Sequence, residues 1–190
     1  MENGNSDNPT LDNARLEMQN YTINEHIHKY AVWTAARAVQ RGFKGATTER
    51  ISKAIDSALL KDKFLLANDE WNDDSFKKAH NDAIKILKDK LNCTYGRAAK
   101  IIAIYIKTSV ILPNKGKCSL SKVAYPPIDD ILLSSLKKIG IIESYERWTK
   151  IDDKEGDSFF DIISKIREEV RDKPLWQIEF YWNPNKNEED

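Results

Sequence analysis

Cysteine is scarce in this sequence: Cys93 and Cys118 are the two in 190 residues. Two thiols build no disulfide framework and cannot alone ligate an iron–sulfur cluster. Seven glycines and six prolines are few for a β-sandwich or barrel, which needs a turn every ten residues or so. No apolar run reaches the ~18 residues of a membrane span, and no charged-then-apolar leader opens the sequence. Gly-rich phosphate loops, a G-x-S-x-G elbow and a C-x-x-C pair are all missing. His26 and His28 are two apart and point to different helix faces, and His80 stands alone, so neither a metal nor a cofactor is expected. A net charge of one sign is also lacking, since 30 basic and 30 acidic side chains cancel. Together these absences lead us to expect a soluble protein of a reducing compartment, the cytoplasm, with no membrane partner.

Hydrophobic residues make up 41% and charged residues 32% of the chain, the balance of a globular protein rather than a disordered one. The length suits one domain able to bury a real core without metals or disulfides. Residues 1–20 are polar, Asn-rich as far as Asn13 and without sustained period, and read as a mobile tail. Residues 184–190 (PNKNEED) read likewise, leaving 21–183 as the domain.

The body reads as helices. Apolar residues recur at spacings of three and four over 22–41 (Ile23, Ile27, Ala31, Ala35, Ala38), a run ended by Gly42. Thr47 or Thr48 caps a second helix over 48–60, and a third spans 74–91. A fourth, 95–112, is almost continuously apolar, as expected of a central helix with others packed around it, and Pro113 stops it. The longest connection, 113–127, precedes a fifth helix from Asp129 or Asp130 to Lys138. Two more follow, 159–170 and a short one from Pro174. Strand signals are scarce, so the expected fold is all-α, one domain of about seven helices.

The zero net charge conceals a segregation. Residues 77–122 hold eleven basic side chains against Asp82 and Asp89, a local net charge of +9 that the rest of the chain balances. A basic block around a central helix is the footprint of a phosphate-binding face, or else a solvated helix face with a Lys-rich loop. Backbone donors around Thr94–Gly96 would add to a phosphate site if they open the helix. Arg97, Lys107, Lys115, Lys117 and Lys122 are the candidate DNA contacts.

Lys100 and Lys107 are seven apart and share a face of the apolar fourth helix. A lysine against an apolar wall loses hydration of its charged form, and the neutral amine that results is the nucleophile of Schiff-base chemistry. The alternative is that the long stems snorkel, covering apolar surface with the ammonium in water. Asp129 follows Pro126–Pro127–Ile128, so the chain arrives extended and turns into a helix at the aspartates. Asp129 is then a helix N-cap, held rigid and anionic, and a fixed anion beside a pocket could also stabilise a developing sugar cation. Aromatic residues stand at Tyr30, Trp33, Tyr125, Trp148, Trp176, Tyr181 and Trp182. Most suit core packing; Trp33 and Tyr125 are the candidates to line a pocket for an unstacked base.

The stretches YGRAAKIIAIYIK (95–107) and PPIDDILLSSLKKIGII (126–142) resemble the catalytic half of helix-hairpin-helix DNA glycosylases, nearest to divergent 8-oxoguanine glycosylases of the archaeal type. In those proteins a lysine near the start of an apolar helix is followed, a few tens of residues later, by a Pro-x-Asp that opens the next helix. The resemblance covers about a quarter of the chain and implies Lys100 as the Schiff-base lysine and Asp129 as the catalytic aspartate. The family's Pro-Gly-x-Gly hairpin is replaced here by Thr94–Tyr95–Gly96, and two cysteines exclude the four-cysteine cluster of some relatives. HKYAVWTAARAVQRG (28–42) and PLWQIEFYW (174–182) lie outside the resemblance.

The expected function is excision of a damaged or modified base from double-stranded DNA, in repair or in defence against phage, with possible strand cleavage at the abasic site. The alternative is a non-enzymatic helical module that binds nucleic acid or a protein; a helical subunit of a toxin or defence assembly is a third reading. The discriminating observation is whether Lys100 and Asp129 face one cleft.

Overall fold

The computed structural model describes residues 9–67, 70–153 and 156–184. Among them every regular element is helical, as expected for an all-α fold. Helix α1 (Pro9–Gln19) lies where a tail was expected. Its described side chains, including Leu16 and Met18, are exposed. It is therefore a helix of local propensity, opened by a proline at its first position, and the absence of an apolar stripe was no bar to it. The rest of that expected tail, 1–8, and the C-terminal one beyond Pro184 lie outside the described residues.

α2 (Ile23–Val39) is capped by Thr22, whose hydroxyl accepts from the Glu25 N–H, and α3 (Thr48–Ser57) by Thr47 in the same way. α4 (Asp73–Leu91) opens on a reciprocal capping box between Asn72 and Ser75 and stops at Asn92 in the left-handed region, φ 50°. α5 (Tyr95–Ile106) continues into a π-helical turn, Lys107–Ile111, before Pro113. α6 (Ser119–Val123) is a single short turn within the expected long connection, anchored by buried Leu120 and Val123. α7 (Asp130–Lys138), α8 (Asp157–Val170) and a 3₁₀ helix, Leu175–Tyr181, complete the chain. A second π turn, Lys61–Leu65, follows α3 and was not foreseen.

The core forms around α5, as its unbroken apolar character requires. α2 lays Ala31, Ala35 and Ala36 against it, small residues that let the two backbones approach, and α4 covers another side with Ala83, Leu87 and Leu91. A second layer of rings joins Phe76, His80, Tyr95, Tyr125 and Phe159, with centroids about 5–6 Å apart.

Candidate functional site

Two buried prolines carry the chain extended to Asp129, whose φ of −143° and ψ of 174° make it the N-cap of α7. Its Oδ1 accepts from the Leu132 N–H at 3.0 Å. This leaves Oδ2 facing α5, where it accepts from Lys100 Nζ at 3.1 Å. The two side chains, 29 residues apart in sequence, are 9% and 14% exposed. Asp129 thus uses one oxygen to cap the helix and the other to accept from an amine.

Two tryptophans complete the surroundings of the pair. Trp182, just after the 3₁₀ helix, donates its indole N–H to the same Asp129 Oδ2 at 3.2 Å. Trp148 lies under Lys100, with the ammonium 4.4 Å from its ring centroid, a cation–π distance. Trp148 is held there by Gly96, since a Cβ at that position would sit 1.9 Å from the Trp148 carbonyl oxygen. Lys107, two turns beyond Lys100, pairs with Glu179 of the 3₁₀ helix. Burial pushes the Glu179 carboxyl above its ordinary value; Lys107 opposes the shift, and the negative charge of nearby Asp129 adds to it. Lys100 of α5 and Lys107 of the π turn that continues it therefore each meet a carboxylate.

The sequence pointed to Lys100 and Asp129 but missed Glu179, Trp182 and Trp148 as their neighbours. The available signal was the segment 174–182 itself, where an acid and two tryptophans crowd into nine residues at the end of the domain.

Other expected roles change. Arg97 donates to the carbonyls of Val39 and Gly42, at 3.0 Å each, and lies over the Phe43 ring. It ties α5 to the end of α2 and is spent on that, not free for a phosphate. Lys107 is likewise engaged by Glu179. Lys115, Lys117 and Lys122 are exposed and make no ion pair among the described residues. Tyr125 is no pocket residue: it is 7% exposed and packed edge-on against Phe76 and His80, with burial pushing its hydroxyl up to about 12. Trp33 is half exposed, stacked on Tyr30 in a cleft with His28, Lys29 and Asp56 that neither Lys100 nor Asp129 borders.

The hollow expected between the amine and the carboxylate is closed by their direct contact. Four surface clefts of about 480 to 680 Å³ are lined by other residues. No group of three potential metal ligands occurs among the described residues. His80 is 1% exposed with neither ring nitrogen bonded, and burial pushes it down to about 4. No described helix is long and apolar enough to cross a membrane. Comparison with known protein families, curated proteins and solved structures returns no match.

Proposed function

We propose that this protein is a DNA glycosylase that removes a damaged or modified base, using Lys100 as nucleophile and Asp129 as its proton acceptor. The observation that carries the reading is the Lys100 ammonium hydrogen-bonded to a rigid, helix-capping carboxylate in a mostly buried setting. Lysine activation requires a place for the ammonium proton, and Asp129 Oδ2 is in hydrogen-bond contact with it. In the proposed step that proton passes to Asp129, the freed lone pair attacks the sugar C1′, and the C1′–N bond breaks with its electrons leaving on the base. Asp129 then returns the proton to the departing base. The C1′–O4′ bond then breaks with its electrons on O4′, one Nζ proton passes to O4′, and the Nζ lone pair forms the C1′=Nζ imine, from which elimination can cut the strand. The exposed part of the basic block supports duplex binding of the kind that neutralises phosphates without reading sequence.

The test uses duplexes carrying a panel of oxidised, alkylated and phage-type bases. Borohydride should trap the protein covalently on at least one of them, and Lys100→Ala should abolish trapping. Asp129→Asn should abolish base release while leaving duplex binding intact; full release by Asp129→Asn overturns the assignment. A non-enzymatic nucleic-acid-binding module is the second reading, favoured by the exposed lysines of the basic block, which bind phosphates without any chemistry. It expects duplex binding with no base released from any substrate of the panel.

A further inference from the structure

The phosphate grip expected at the start of α5 is not available. Tyr95 N–H donates to Asp152 Oδ1 at 2.9 Å, Gly96 N–H to the Ile151 carbonyl at 2.9 Å, and Arg97 N–H to the Thr94 hydroxyl at 3.4 Å. The first turn of the helix has its donors occupied by the chain itself. With Arg97 and Lys107 also engaged, the cations that would hold a nucleic-acid backbone must be sought elsewhere on the basic block.

A cleft of about 590 Å³ lies between α4 and α8, lined by Lys77, Asn81, Lys85 and Lys88 of α4, with Tyr95 beneath and Phe160 opposite. The α4 positions recur at helical spacing, so they form one stripe along the helix. Lys77 and Lys85 are exposed and make no ion pair among the described residues. The Lys77 ammonium lies 4.4 Å from the Phe160 ring centroid, which positions it over the cleft without neutralising it. Lys88 is paired with Asp152 at 2.6 Å, and Asp157 is the one carboxylate lining the cleft. From Lys77 to Lys88 the stripe runs roughly 16 Å at 1.5 Å per residue. That length matches about five nucleotides of one strand at 3.4 Å each along a duplex axis.

One segment of the chain touches both the cleft and the lysine–aspartate pair. Tyr95 borders the cleft and Lys100 is five residues further along α5, a rise of roughly 7.5 Å. The 148–152 segment joins the two places, with Trp148 against Lys100 and Asp152 against Lys88.

We propose that the α4–α8 cleft is a binding site for the phosphate backbone of nucleic acid, with Lys77 and Lys85 as its principal cations. This deepens the glycosylase reading and rests on it for the identity of the polyanion. The experiment measures binding of an undamaged duplex by fluorescence anisotropy across a salt series. It compares the wild-type chain with Lys77→Ser/Lys85→Ser, and with Lys137→Ser/Lys138→Ser, exposed lysines outside the basic block, as a surface control. All four lysines are exposed, and circular-dichroism melts confirm that each variant folds. Losing two phosphate contacts should lower the slope of log affinity against log salt by about 1.8. It should also weaken binding at low salt by tenfold or more on every sequence, while the control changes neither. An unchanged slope in the cleft variant of a protein that does bind duplex overturns this proposal and leaves the glycosylase reading standing. If the wild-type chain binds no duplex, both fall. Inorganic phosphate competing as well as duplex at equal phosphate concentration identifies a small-anion site and also overturns the proposal.

Discussion

Asp129→Asn separates the two tasks of one carboxylate. Asparagine caps helices as well as aspartate does, so the bond from Leu132 N–H survives and the backbone of α7 is undisturbed. What is lost is the negative charge of Asp129 that faces the Lys100 ammonium. At 3.1 Å, with the effective dielectric of about 20 that suits partly buried pairs, the gross attraction is about 5 kcal/mol. Part of it is offset by the cost of taking both ions out of water, and removing one partner of a well-buried pair costs about 3–5 kcal/mol. The slight residual exposure of both groups puts the expectation at the lower end, about 3 kcal/mol. In a chain of this size that is a fall of roughly 6–12 °C in Tm. Asp129→Ala should cost about 1 kcal/mol more, the value of the cap. Trp182→Phe, which removes one donor to Oδ2 and leaves a smaller aromatic ring, should cost about 1–2 kcal/mol. Urea unfolding of the three variants and of Lys100→Met/Asp129→Asn measures each contribution, and the double variant should recover much of the loss because no charge is left unpaired. If Asp129→Asn unfolds at the wild-type urea midpoint, the pair contributes nothing and this reasoning is refuted.

Gly96→Ala should destabilise by about 3 kcal/mol or more, because the new methyl would meet a backbone carbonyl that cannot rotate away; a wild-type Tm would show that the 148–152 segment is not seated on α5. His80 makes the fold acid-sensitive. Its folded value of about 4 lies below the ordinary 6.5, so the unfolded chain binds the proton more tightly. The associated stability is complete above pH 6.5 and is lost as pH falls toward 4, by on the order of 3 kcal/mol. Urea unfolding at pH 7 and pH 4.5 should show the loss, and His80→Leu should flatten it; an equal loss in that variant assigns the acid sensitivity to other groups.

Much of the helical content was legible because helix signals are local. The 3.6-residue apolar period over 74–91, the cap at Thr47, and the Pro126–Pro127 pair before Asp129 all act within a turn or two of themselves. α1 and α6 escaped because neither shows a sustained apolar stripe: α1 has its described side chains exposed, and α6 is five residues long. The π turn after Lys107 also left no mark in the pattern, since one extra residue in a continuously apolar run does not disturb its periodicity.

The sequence by itself determined an all-helical chain with an apolar central helix, a rigid aspartate at a helix start and a surplus of cations in about a quarter of its length. Tertiary packing alone decided which of those charges were spent. It set Lys100 on Asp129 and Lys107 on Glu179, used Arg97 to join two helices, buried Tyr125 among other rings, and left Lys77 and Lys85 facing open solvent. The physical reason is range. Helix propensity and capping are settled by neighbours within about four residues, whereas the fate of a charged side chain depends on which distant backbone or carboxylate the fold brings within about 3 Å of it.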